Sequence, residues 1–141
     1  MLSLNKGVDI VCYFVYGALY GDIDENAYKA IENKHEFKIH CGTKHSVKNS
    51  VLEVSDDYRI TDWCCDCDFA LGRKDINAEE IKKLEALFNE IKEIGGAKHI
   101  YLCKTWTGKR NKGEIKLRLD DIDIKSVLAN FKENCLYTFE V

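Results

Sequence analysis

The densest chemistry in the chain lies in Asp62-Trp63-Cys64-Cys65-Asp66-Cys67-Asp68-Phe69. Three thiols within four positions could bind a soft cation as thiolates, and zinc is the common occupant of such sets. Structural zinc takes four ligands, usually in pairs of the C-x₂-C kind. On an extended chain Cys65 and Cys67 share one face while Cys64 points to the other, so Cys41, His45 or Cys103 would have to complete the set from a distance. Cysteines also behave as small buried hydrophobes. That reading covers all three without a metal, so no metal and no cofactor is expected.

The same segment carries a second pattern. If residues 58–71 are a strand, Trp63, Cys65, Cys67 and Phe69 enter the core, and Asp62, Asp66 and Asp68 line the other face with Cys64. Side chains on one strand face repeat every ~7 Å. Aligned like charges repel one another, so such a row suits a basic partner better than it suits stability. It would steer encounter and fix register. Asp56 and Asp57 precede it and would form the rim. The plainer alternatives are a solvated strand face or an edge blunted against aggregation. A divalent cation is a third option, although no EF-hand-like loop is present.

An opposite patch lies between Lys98 and Arg118, where Lys98, Lys104, Lys109, Arg110, Lys112, Lys116 and Arg118 face one acid, Glu114. Read as a hairpin from Lys104 to Arg118 flanked by Tyr101 and Trp106, it offers phosphate contacts and stacking surfaces for single-stranded nucleic acid. Against this stand the net charge of −3 and the absence of a known RNA-binding signature. Catalysis has less support. His40 and Cys41 are strand neighbours and point apart, and His35 and His99 stand at strand starts. The chain lacks a P-loop, a G-x-S-x-G elbow, an H-E-x-x-H helix and a Rossmann glycine fingerprint. No enzyme activity is expected.

A chain of 141 residues, 45% hydrophobic and 32% charged, fits one globular domain spanning 1–141. Seven cysteines cannot all pair within the chain, and Cys12, Cys41 and Cys103 sit in apolar runs. A reducing cytoplasmic setting follows from that pattern. Ile10–Tyr20 is apolar, but Asp9 interrupts its approach and it lacks a clean cleavage site. It is also too short to span a bilayer, so no membrane association is expected.

The elements that must position these groups can be read from periodicity. Val8–Leu19 predicts a strand covered on both faces, and Asp24 caps a short helix over 24–33. Alternation over Glu36–Cys41, the run Val51–Val54 and the stretch 58–71 predict three strands in a meander. Asn77–Ile94 predicts an amphipathic helix with Ile81, Leu84, Phe88 and Ile91 inward, an Asn77/Glu80 capping box, an Ile76/Ile81 staple and a Gly95-Gly96 stop. A hairpin of 98–106 with 114–119, a helix over 123–132 and a strand 135–141 complete an α+β fold. Its mostly antiparallel sheet would carry two or three helices on one side.

Compact size, mild acidity, the Asp62/Asp66/Asp68 row and the lack of a catalytic constellation resemble, in general character and not by motif, the bacterial immunity proteins of contact-dependent and polymorphic toxin systems. The resemblance implies a small binding protein whose carboxylates imitate phosphates in the basic cleft of a cognate toxin, such as a nuclease. Asp22, Asp24 and Glu25 would extend the contact surface. Oligomeric state and partner identity do not follow from the residues.

Overall fold

The computed structural model describes residues 12–42, 46–73, 78–107 and 109–141. The apolar run after Cys12 forms β1 (Tyr13–Gly21), which pairs antiparallel with β3 (Ala97–Trp106). β3 pairs antiparallel with β5 (Leu136–Glu140), and a short β2 (His40–Gly42) and β4 (Glu114–Arg118) form the edges. The order is β2-β1-β3-β5-β4. β2 runs parallel to β1, and β4 parallel to β5. The class is α+β, and the sheet is mixed rather than mostly antiparallel. Each parallel pair is joined through a helix, as parallel neighbours require: α1 (Glu25–Glu32) leads from β1 to β2, and α4 (Ile124–Ala129) from β4 to β5.

The expected hairpin of β3 with β4 is therefore absent, because β5 lies between them. Burial explains the order. Leu136 to Thr138 and Phe139 are buried on both faces and need a central strand, whereas Glu114, Lys116 and Arg118 are exposed and suit an edge.

Side-chain alternation divides the apolar residues between two cores. Val15, Leu19, Ile100, Leu102, Tyr137 and Phe139 face α1, α4 and α3 (Glu79–Ile94). Tyr16, Ala18, Tyr101, Cys103 and Leu136 face the other way, where α2 (Ser46–Leu52) covers them. Helices thus pack on both faces, not one. The strand expected at Val51–Val54 is instead the end of α2 and its exit. Val47 and Val51, four residues apart, both enter the second core, a helical spacing. Val54 leaves the helix at φ +51, and Ser55 N–H donates to Ser50 O at 3.2 Å.

α1 and α3 lie where the periodicity places them. Asp24 caps α1 through Asn26 N–H at 3.2 Å, and α3 buries Ile81, Leu84, Leu87, Phe88 and Ile91. The Asn77 cap and Ile76 staple lie outside the described residues, as does His45. Glu80 accepts from Ala70 N–H at 3.1 Å. Gly96, at φ +88, brings its backbone so near Asp22 that a Cβ would stand 2.2 Å from Asp22 O. Among the described residues, no helix is long and apolar enough to cross a membrane.

Glu114 ties α2 to the sheet edge. It accepts from Lys48 Nζ at 2.9 Å and from Thr138 Oγ1 at 2.6 Å. Burial alone would raise its pKa, but the bonds from Thr138 and Lys48 outweigh burial and hold it below the usual glutamate value. A depressed folded pKa stabilises above the unfolded value, and that contribution is lost as pH falls through the folded one. The stability gap between the wild type and Glu114→Gln in urea denaturation should therefore close as pH drops below 4.5. A pH-independent gap would contradict this.

Candidate functional site

β2 pairs with β1 only from Ala18 to Tyr20, which among the described residues leaves the first half of that β1 edge without a strand. Residues 59–67 fill the edge, yet not as a strand: residues 59–73 contain neither helix nor strand beyond a single bridge of Arg59 to Tyr16. Ile60 N–H donates to Val15 O at 3.1 Å and Asp66 N–H to Tyr13 O at 2.9 Å. The return bonds use side chains. Val15 N–H donates to Asp66 Oδ2 at 2.7 Å, and Tyr13 N–H to Cys67 Sγ at 3.3 Å. Asp66 also accepts from Thr61 Oγ1 at 2.6 Å and pairs with Arg59 Nη2 at 3.3 Å. A carboxylate thus takes the place of a neighbouring strand's carbonyls. Aspartate and threonine commonly bond backbone in this way and so compete with a ladder.

This overturns the row of aspartates. Asp66 is fully buried and is spent on the fold. Asp62 and Asp68 are exposed, but on a loop. Trp63, expected in the core, is 37% exposed and packs its ring 5.4 Å from that of Phe69, which is buried as expected. Cys64 is exposed.

A different acidic feature replaces the row. Asp56 and Asp57, on a single 3₁₀ turn, and Asp62 line a cleft of about 710 Å³ together with Glu32 from α1. Lys38 and Arg59 are its cations, and Phe14, His40, Thr61 and Cys64 complete the wall. Arg59 is already committed: its guanidinium lies 4.5 Å over the Phe14 ring, and Nη2 donates to Trp63 O at 2.7 Å as well as to Asp66. Its Nε is buried without an acceptor. Four carboxylates against Lys38 and a neutralised Arg59 leave the cleft acidic. Glu25 lines an adjoining hollow that shares Glu32 and His40. Asp68 is not part of the cleft lining.

Cys65 and Cys67 do approach a third thiol, but it is not Cys64, Cys41 or Cys103. It is Cys12, and the three sulfurs all lie within 4.8 Å of one another. Cys12 is pinned by Thr107, which donates Oγ1–H to Cys12 O at 2.6 Å and accepts from Cys12 N–H at 3.1 Å. Desolvation, then sulfur hydrogen bonds with Cys65 and Cys67, pushes the Cys12 thiol up to about 12. Cys65 is lowered, chiefly by the Cys67 backbone N–H. No spacing rule could have joined Cys12 to this set, because the contact exists only once the loop lies against β1.

The basic segment loses its key members to the interior. Lys104 is 1% exposed and donates to Phe69 O at 3.2 Å and Leu71 O at 3.1 Å. Burial lowers its pKa. Tyr101 is buried and Trp106 half-buried, edge-on to Tyr13, while Lys109, Arg110 and Lys112 stay exposed. His40 faces the cleft, whereas Cys41 packs against the first core.

Comparison with protein-family models, curated proteins and solved structures found no match.

Two substitutions check the role of the loop. Asp66→Ala strands the Val15 amide and the Arg59 guanidinium, and should cost about 3 kcal/mol, whereas Asp62→Ala should stay within about 0.5 kcal/mol. Equal effects in urea denaturation would contradict the assignment. Gly17 lets the loop approach β1: a Cβ there would lie 2.9 Å from Ile60 Cγ2 and 3.2 Å from Tyr101 O. Gly17→Ala should cost about 1–3 kcal/mol by overpacking, and a neutral result would show that Ile60 does not press on β1.

Proposed function

We propose that this chain is a binding protein that engages a basic protein partner through the acidic cleft, in the manner of an immunity protein that neutralises a cognate toxin. The observation that carries this reading is the placement of Asp56, Asp57, Asp62 and Glu32 around one cleft beside the exposed Trp63. A lysine or arginine of the partner entering the cleft would meet carboxylates on several sides. The exposed Trp63, which lies in sequence between the lining residues Asp62 and Cys64, would supply the large apolar contact that protein interfaces concentrate in a few residues. Charge complementarity of this kind raises the encounter rate and rejects acidic competitors.

The form of the segment supports the same reading. Long connections without secondary structure are usually functional, and residues 59–73 are anchored by Asp66 rather than left loose. A loop anchored in this way, presenting charge and one aromatic ring, needs less ordering on binding. The nucleic-acid reading has weaker support, since Lys104 and Tyr101 are internal.

A photo-crosslinker at position 63 in the native host should capture a basic protein. Replacing Asp56, Asp57 and Asp62 by asparagine should then weaken its binding by about 2–5 kcal/mol, while Lys109, Arg110 and Lys112 to glutamine should leave it unchanged. Unaltered affinity of the aspartate triple variant, or loss in the lysine/arginine variant, would sink the reading.

A further inference from the structure

We propose that Cys12, Cys65 and Cys67 form a zinc site of three thiolates, with the fourth coordination position open to solvent. The inference is independent of the acidic cleft. Among the described residues, this is the group of three potential ligands whose donor atoms converge, all within 4.8 Å. A tetrahedral site with Zn–S of about 2.3 Å sets its sulfurs roughly 3.8 Å apart, so about 1 Å of closure at most completes the geometry. Side-chain rotation of half-buried cysteines can supply that without moving backbone.

The backbone that carries the sulfurs is already fixed. Thr107, just past the end of β3, holds Cys12, and the Asp66 bonds to Val15 and Tyr13 hold Cys65 and Cys67 on either side of a buried anchor. Two chain segments more than fifty residues apart are thus held with their thiols facing one another. Such preorganisation is what a three-ligand site needs.

Three further features fit a metal. The Tyr13 amide donates to Cys67 Sγ at 3.3 Å, the kind of outer-shell bond that orients a ligating sulfur. Zinc with three thiolates carries a net charge of −1, and cations stand near it. Arg73 Nη1 donates to Cys67 O at 3.3 Å, and the buried Lys104 ammonium interacts electrostatically with Cys67. The donor set is all sulfur, which selects zinc and other soft cations over calcium or magnesium. Each thiol that ligates releases its proton, up to three per zinc, so affinity falls toward acid pH. The bound ion would join the start of β1 to the loop, adding a staple at the edge that Asp66 already closes.

The test uses the full chain, reduced with a phosphine and stripped of metal, titrated with cobalt(II) and then zinc(II). The expected result is one equivalent of cobalt with the near-ultraviolet charge-transfer absorption of three thiolates, displaced by zinc with proton release. Cys12→Ser, Cys65→Ser and Cys67→Ser should each lower zinc affinity by more than the roughly 10- to 100-fold that outer-shell changes cost. Cys64→Ser and Cys41→Ser should bind as the wild type does. Should a serine variant fail to fold by circular dichroism, the thiolate count in the wild-type cobalt spectrum decides alone. Absence of the thiolate band overturns the proposal, as does loss of binding in Cys64→Ser. So does a reduced protein that refuses zinc but forms a disulfide among these three on oxidation, which would make the cluster a redox pair.

Discussion

The buried carboxylate of Asp66 is the interaction on which the rest of the site depends. The first half of β1 has strand β3 on one edge and, among the described residues, no strand on the other. An unpaired edge inside a protein costs free energy for every amide left without an acceptor. Asp66 resolves this by accepting from Val15 N–H and Thr61 Oγ1 while holding Arg59. The same residue donates its own amide to Tyr13. One side chain therefore closes the sheet, curls the loop, and decides which neighbours face solvent.

Both candidate sites follow from that closure. Because the loop turns at Asp66, Cys65 and Cys67 swing toward Cys12 on one side of the anchor. Asp62 and Cys64 turn toward Asp56 and Asp57 on the other. Arg59 is the link between the two halves: it neutralises Asp66 inside and forms part of the cleft wall outside. Four carboxylates against two cations already make the cleft acidic, and the pairing of Arg59 with Asp66 adds to it.

Sequence alternation was a sound guide where strands were covered on both faces. Val15 and Leu19 against Tyr16 and Ala18, and Tyr137 and Phe139 against Leu136, sort into the two cores as a period of two requires. The helix α3 was legible from Ile81, Leu84, Phe88 and Ile91, and α1 from its Asp24 cap. Residues 58–71 misled for a physical reason. Their alternation of acid and thiol imitates a half-buried strand, but Thr61 and Asp66 can bond backbone with their own side chains, and that local option outcompeted a ladder. Asp56, Asp57 and Asp62 were legible as exposed acids, while Asp66 was indistinguishable from them by pattern. Cys12 and Lys104 were misjudged because their partners lie far off in the chain, at Cys65 and Cys67 for the first and at Phe69 and Leu71 for the second. Likewise, the parallel pairing of β4 with β5 depends on burial of a strand that closes the chain.

Native-state hydrogen exchange at the Val15 amide tests the central claim most directly. If the Asp66 carboxylate stands in for a missing strand, this amide exchanges as slowly as the amides of Ile100 and Leu102 in the middle of the sheet. Exchange at the rate of an open strand edge, with Ile100 and Leu102 still protected, would show that the carboxylate does not close β1 and that the loop is held by something else.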